Sequence, residues 1–371
     1  MNQRYIDWLT QLTALPTVAG REDRVVEWVT QWVGRRKHLV MQCDKLGNIT
    51  IKRKNDRSRK PIYLTGHLDH PAFVVREQVD AKSVVAEFRG GVKDEYFEGT
   101  SVTWHSQAGE TCRGRVRGFL DDHESGKRPQ VVTIDFRRKV SASAGDVITW
   151  DVGKPKIKRG HLHTPICDDL AAVVAAFAAM DRLSKLKSAP NVRLFLTRAE
   201  EVGFIGAIGA CKLGTLPADS TLICLENSKA LPEAPIGEGP IIRVGDRIST
   251  FGSDLNYQIV RIADEIAKRD KTFTYQRKLM SGGACEATAF QNFGYNATCL
   301  CLPLGNYHNM NEQSGRIEPE YISLSDFEGL VTLLVGVGKQ LNTGNDGPSL
   351  REKLDKLYDD WSHVVSGSQT R

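Results

Sequence analysis

The chain has 371 residues, enough for about two domains and a large core. Hydrophobic residues make up 40% and charged residues 26%, and 50 basic against 45 acidic side chains leave a formal net charge of +5. That mild, dispersed charge argues against a nucleic-acid surface, and no apolar run is long enough to cross a bilayer.

The start, Met1 to Trp8, has no apolar signal core. The eight cysteines show neither disulfide-like spacing nor a CxxC pair, so reduced, mostly buried thiols and a cytoplasmic setting are expected. Apolar residues at Tyr5, Trp8, Leu9, Leu12 and Leu15 predict a helix over 4–15, ended by Pro16. A second helix is expected over 22–34. Asp44 to Asn48 reads as a turn between short strands, pivoting on Gly47-Asn48. Ile62 to Thr65 reads as a buried strand running into Gly66-His67-Leu68-Asp69.

From about 71 to 160 the pattern changes. Short β-branched runs at 73–75, 84–85, 101–104, 131–136 and 146–150 alternate with glycine-bearing turns, which predicts a small all-β barrel or sandwich. The flanking pattern is strand-helix-strand, so this module is expected as an insert in an α/β domain. The domains are then 1–70 with 161–371, and 71–160. The α/β pattern resumes with an alanine-rich helix over 170–183 and strands at 192–196 and 221–225. A helix near 254–269, a strand at 298–302 and a helix over 323–341 follow. Residues 354–365 read as a last amphipathic helix or a tail.

Side chains that carry chemistry recur at the strand ends, where open α/β sheets place their sites. In order they are His67 and Asp69, Asp168 and Asp169, Glu200 and Glu201, Glu226, and His308. Imidazole and carboxylate donors without thiolate suit zinc, cobalt or manganese. Two histidines with at least three carboxylates suffice for a pair of ions sharing one bridging carboxylate. Each residue also has an ordinary reading. Asp169 could be a helix N-cap, His161 and His163 exposed strand residues, and Cys167 a packed thiol.

The set resembles the tetrahedral (deblocking) aminopeptidase family of two-metal peptidases, metallopeptidase family 42. The resemblance rests on Gly66-His-Leu-Asp69, Asp168-Asp169, Glu200-Glu201-Val-Gly203, an acid after the next strand and a late histidine. Gly239-Pro-Ile-Ile-Arg243 and Gly282-Gly-Ala-Cys-Glu-Ala287 also look like family segments that line the active site. The family inserts its β domain between the first histidine and the bridging aspartate, here a gap of 101 residues. The resemblance implies a mixed-sheet α/β/α zinc-peptidase domain with an inserted barrel-like domain. It implies two divalent ions per chain, zinc or else cobalt or manganese. Asp168 would bridge them, His67 and Glu226 would complete one, and Glu201 and His308 the other. A metal-bridged water would be the nucleophile, Glu200 the general base, and Asp69 the acceptor that orients His67. A cis peptide bond after Asp168 is also implied. Glu286, Gly283 and Arg243 are expected near the substrate. The implied substrate is a short peptide, and the implied assembly a homo-oligomer, possibly a dodecamer, with neither nucleic acid nor membrane as partner.

The chain departs from the family pattern at four places. Glu226 stands where aspartate is usual, His70 where an acid is usual, Asn309 where serine follows the histidine, and Cys285-Glu286 where Thr-Asp is typical. Two other readings remain. One is a two-metal deacylase or carboxypeptidase, with Arg243 or Arg247 reading a substrate carboxylate. The other is a non-enzymatic metal-binding scaffold.

Overall fold

The computed structural model describes residues 2–120, 124–126, 128–186, 192–341 and 347–366. The chain opens with helices α1 (Gln3–Leu12) and α2 (Asp23–Gly34), whose apolar faces are buried through Tyr5, Leu9, Leu12, Val25, Val29 and Trp32. α1 stops at Leu12, short of the expected Leu15. There Thr13 turns its hydroxyl back onto the Leu9 carbonyl and caps the last turn. Strands β1 (Leu39–Cys43) and β2 (Ile49–Arg53) form the expected hairpin. Its turn uses Gly47 at φ +82°, and the Asp44 carboxylate accepts from the amides of Leu46 and Asn48. Strand β3 (Ile62–His67), buried throughout, follows.

The next six strands close on themselves. They are β4 (Ala72–Asp80), β5 (Ser83–Arg89), β6 (Ser101–His105), β7 (Thr111–Phe119), β8 (Gln130–Phe136) and β9 (Val147–Trp150), in the barrel order β4-β5-β8-β7-β6-β9. Burial alternates along β7 and β8, as it must when one face of each strand fills a barrel. The interior is aromatic. Phe88 meets Phe73 and Phe97 at ring distances of 4.8 and 4.9 Å, with Trp150 at 5.5 Å. Two short strands, β10 (Lys156–Lys158) and β11 (His161–Thr164), then lead to the long buried helix α3 (Leu170–Leu183).

The second half alternates strand and helix. It comprises β12 (Val192–Thr197), α4 (Ile205–Leu213), β13 (Thr221–Lys229), β14 (Ile241–Gly245), α5 (Ser253–Arg269), β15 (Gln276–Leu279), α6 (Glu286–Asn292) and β16 (Asn296–Leu304). A two-residue pair, β17 (Met310–Asn311) and β18 (Arg316–Ile317), precedes β19 (Glu320–Ser323), α7 (Leu324–Gln340) and α8 (Leu350–Trp361). One eight-stranded sheet runs β1-β2-β12-β3-β13-β16-β14-β15. Its centre, β12-β3-β13-β16, is parallel, while β2 and β14 join it antiparallel. The central strands are buried on both faces, so they read as continuous apolar runs. On one face α1, α2, α3, α5 and α7 form a large core, and on the other α4 and α6 form a smaller one. The architecture is a mixed-sheet α/β/α layer structure carrying a closed barrel. The barrel ends by Trp150, and β10 pairs with β11, which pairs onward with β19.

All eight cysteines are free, with Cys43 exposed and Cys211 half-buried. Among the described residues, no helix is long and apolar enough to cross a membrane. Leu354, Leu357 and Trp361 of α8 lie exposed, and this helix buries no residue; a short helix, α9 (His363–Ser366), follows it.

Phe88 is fully buried among three aromatic rings. Replacing it with alanine is expected to cost about 3–5 kcal/mol of barrel stability. Urea unfolding followed by tryptophan fluorescence checks this; an unchanged midpoint contradicts it.

Candidate metal centre

Glycine permits the first part of the site. A Cβ on Gly66 would stand 2.5 Å from Asp169 Oδ2 and 2.7 Å from Val173 Cγ2, so only glycine lets β3 lie this close to the start of α3. His67 is the last residue of β3. Asp168 lies in the turn between β11 and α3, and its peptide bond to Asp169 is cis. Glu200 and Glu201 follow β12 in a turn where Ala199 and Phe204 take φ values of +54° and +60°. Glu226 does not follow its strand as expected. β13 continues to Lys229, and Glu226 sits inside it, in register with Cys301. His308 lies past β16 in a coil where Asn306, His308 and Asn309 all have left-handed φ.

These side chains converge. Three sets of donor atoms each lie within 4.8 Å of one another: His67 with Glu200 and Glu201, and two further sets that share an aspartate, namely His67, Asp168 and Glu226, and Asp168, Glu201 and His308. Asp168 belongs to both of the latter. Its Oδ1 is 3.4 Å from His67 Nε2 and its Oδ2 is 3.6 Å from His308 Nε2. Glu201 Oε1 is 3.3 Å from His308 Nε2, and Glu200 Oε2 is 3.9 Å from His67 Nε2.

Asp69 acts differently from the expectation. The Nδ1 of His67 lies 3.1 Å from the Asp69 backbone carbonyl and 3.7 Å from its carboxylate. The carboxylate instead accepts from the amides of Glu200 and Glu201, both at 3.0 Å. Asp169 stands at the N-cap position of α3, but its carboxylate makes no cap bond. Arg243 and Gly283 lie together, since the guanidinium donates to Ser228 Oγ at 3.1 Å and to the Gly283 carbonyl at 3.4 Å. Both line a small cavity of about 20 Å³ with Glu226 and Tyr307, and a cleft of about 540 Å³ shares Tyr307 and Lys229 with it. Glu286 is buried at the start of α6 beside Thr197, close enough to His67, Asp69 and Glu200 to interact with them electrostatically. His163 is half-buried and stacks on Tyr321 at 5.1 Å, and Cys167 is packed in the core.

The sequence reading missed residues that hold the site. Glu320, fully buried, accepts from the amides of Cys167, Asp168 and His308. Glu22 accepts from the amides of Gly20 and Ala199 and pairs with Arg198. Gly91 of the insert offers its carbonyl to His308 Nδ1 at 2.7 Å. No residue pattern announces these. Only the departures His70 and Asn309 were visible, and they touch each other: His70 Nε2 is 3.1 Å from Asn309 Oδ1.

Electrostatics explain what the cluster is suited to hold. Burial pushes Glu200 and Glu226 well above the usual carboxylate range, and neighbouring carboxylates add to it. Burial likewise raises Asp169, and Glu286 rises to about 7. Burial opposes charge on His67 and His308, yet Glu200 and Glu201, with Asp168, outweigh it and hold both imidazoles well above their ordinary value. Asp168 goes the other way: burial raises it, but the two imidazoles hold it low. Asp168 Oδ1, Glu201 Oε1 and His308 Nε2 are buried without a hydrogen-bond partner. Unpartnered acceptors and crowded carboxylates in a dry site are costly unless a cation neutralises them. The donor set therefore fits divalent ions.

The structure is an eight-stranded mixed sheet with acids and imidazoles gathered along one edge and a barrel in one connection. The chain belongs to the M42 peptidase family: the family model, described as M42 glutamyl aminopeptidase, matches residues 47–315. No curated protein sequence matches the chain. Among solved structures it is similar to the TET1 peptidase of Pyrococcus horikoshii, which can assemble into a tetrahedron or a large octahedral shell. The identity is 21% and the TM-score 0.75, over 91% of this chain and 100% of that one. It is also similar to an aminopeptidase from the archaeon Desulfurococcus kamchatkensis, at 20% identity and TM-score 0.75, over 93% and 97% of the two chains. A TET aminopeptidase from a marine-sediment thaumarchaeon gives 19% identity and TM-score 0.77, over 92% and 99%.

The raised carboxyls make a testable demand. A carboxyl whose folded pKa exceeds its unfolded value binds more protons when folded, so stability falls as pH rises between the two. For Glu286 that window runs from its ordinary 4.5 to about 7, and Glu200 and Glu226 act in the same sense. His67 and His308, raised above 6.5, continue the loss at higher pH. Asp168 acts oppositely, but only below its ordinary 3.8. Chelator-stripped protein is therefore expected to melt at a lower temperature at pH 7 than at pH 5, and excess divalent metal to reverse the difference. Thermal melts at both pH values, with and without metal, check it.

Proposed function

We propose that the protein is a metal-dependent aminopeptidase that removes residues from the N-termini of short peptides. The observation that carries this reading is Asp168, whose two oxygens face two different imidazoles and so join two donor sets. His67, Asp168 and Glu226 would hold one divalent ion; Asp168, Glu201 and His308 would hold the other. Imidazole and carboxylate donors favour zinc, with cobalt or manganese as substitutes. A pair of such ions supplies Lewis acidity toward a peptide carbonyl and toward water.

The chain's own residues supply positioning and proton transfer. Glu200 belongs to neither of the two sets that share Asp168, and its carboxylate lies 3.9 Å from His67 Nε2. Burial raises its pKa and so its basicity, which suits it to take a proton from the attacking water and return it to the leaving amine. Asp69 fixes the turn that presents it, through the amides of Glu200 and Glu201. The peptide enters by the cleft beside Tyr307 and Lys229, and Glu226 offers an acid to the free α-amine. Residues 71–160 are read as the inserted domain, and 1–70 with 161–371 as the catalytic one. Assembly into a homo-oligomer, a dodecamer by analogy with the shell-forming relatives, and a cytoplasmic setting complete the proposal.

Arg243 favours a narrower reading of the substrate. It is 2% exposed, its Nε has no partner, and its guanidinium donates to neutral groups. A buried cation so placed suits a substrate carboxylate. An acidic N-terminal side chain fits the family's glutamyl description, whereas the α-carboxylate of an acyl amino acid or a C-terminal residue fits the deacylase or carboxypeptidase alternative. Glutamyl- and leucyl-nitroanilides, an N-acyl amino acid and a blocked peptide separate these. Replacing Arg243 with methionine is expected to raise KM for the acidic substrate selectively.

The main test is Glu200→Gln. It is expected to keep about two ions per chain and to lose turnover by about 10²–10⁴-fold. Metal analysis with nitroanilide kinetics checks both, and a fully active variant sinks the assignment of the base.

A further inference from the structure

The two loops that carry Asp168 and His308 are far apart in sequence, and a single buried side chain joins them. Strand β19 lies between their points of departure. On one side it pairs with β11, in register Thr164 to Glu320, and β11 leads directly to Asp168. On its other side Tyr321 bridges Gly305, and that segment leads directly to His308. Glu320 thus stands where the two loops diverge. Its Oε2 accepts from the amides of Cys167 at 2.6 Å and Asp168 at 3.1 Å, and its Oε1 accepts from the amide of His308 at 2.8 Å. The carboxylate belongs to neither donor set. All three bonds use it purely as an acceptor, and each oxygen serves one loop.

We propose that Glu320 is a positioning residue that sets the distance between Asp168 and His308, and so the geometry of the second metal set. The inference rests on the two-metal reading above and deepens it. A ligand amide fixes the backbone, and the backbone fixes where the ligand side chain starts. Moving either amide by a few tenths of an ångström displaces Asp168 Oδ2 from His308 Nε2, the pair now 3.6 Å apart. A glutamate spans both loops because its two oxygens are separated and its arm is long enough. Glutamine offers one acceptor and points N–H groups at donors. Aspartate keeps the charge but is one methylene shorter and cannot serve both loops at once.

The loops are also joined a second time, without Glu320. Asn309 Nδ2 donates to the Pro165 carbonyl at 2.9 Å, and His70 lies between the Asp168 carbonyl, 2.6 Å from Nδ1, and Asn309 Oδ1. This second tie keeps the loops together when Glu320 is changed, so the effect of the change falls on spacing rather than on folding.

The test is cobalt(II) titration of chelator-stripped wild type, E320Q and E320D, read by the visible absorption of the bound ion, with thermal melts of the stripped proteins beside it. Wild type is expected to take two equivalents. In both variants one of the two is expected to bind about 10–100-fold more weakly, with an altered spectrum, the range usual for groups that orient metal ligands. The stripped variants are expected to melt close to stripped wild type. Folded variants whose two cobalt affinities stay within about twofold of wild type overturn the proposal. Failure of both variants to fold also overturns it, by assigning Glu320 to folding instead. Wild type that takes no cobalt is a different failure and removes the two-metal reading itself.

Discussion

Everything at this site depends on keeping like charges together in a dry place. His67, Asp168, Glu200, Glu201, Glu226 and His308 are packed within a few ångströms, with acids outnumbering imidazoles. Self-repulsion would spread such a cluster if its backbone were free to move. Three further carboxylates prevent this by binding main-chain amides: Asp69 under Glu200 and Glu201, Glu320 under Asp168 and His308, and Glu22 under Ala199. Each is itself buried, so each brings a further acidic group into the region it braces. Their N–H partners compensate locally, as hydrogen bonds to a charged acceptor are stronger than neutral ones. What these amides leave over is a crowd of acidic groups that a bound cation would neutralise.

The parallel centre of the sheet is what brings the cluster to one edge. β3, β12 and β13 run side by side, so His67 at the end of β3 is in register with Thr197, just before Glu200 and Glu201. β13 and β16 extend the same register, which places Glu226 level with Cys301. The extra length of these two strands lifts Glu226 toward the edge without a loop. The longer glutamate arm, in place of the family's aspartate, thus reaches the cluster from within a strand.

Much of this was legible from residue order. Strand-then-ligand recurrence marked His67, Asp168, Glu200, Glu201, Glu226 and His308, and the structure brings all six together. The β-rich stretch announced a small all-β module, a barrel or sandwich, because short β-branched runs alternate there with glycine-bearing turns, and the structure closes it as a barrel. Other features carried no such signal. Glu320 sits in a short strand with an ordinary alternating pattern, and its importance comes from three amides distant in sequence. β14 and β15 are short runs at the sheet edge, with Arg243 and Lys278 breaking their apolar character. Asp69 was expected to reach an imidazole, but the turn after β12 brought two amides closer. Local pattern reports which face is buried, whereas the partner of a polar side chain is decided by tertiary packing.

The contact between Gly91 and His308 has a bearing on how the chain matures. During synthesis residues 72–150 leave the ribosome before β12 and β13 and contain every strand of their closed ring. β3 must wait for β12 and β13, which are made much later. The last imidazole then finds its hydrogen-bond acceptor on a module finished long before, across 217 positions. The six side chains therefore cannot be gathered until β12, β13 and β16 have been made, so the cluster is complete only once the later half of the sheet is in place.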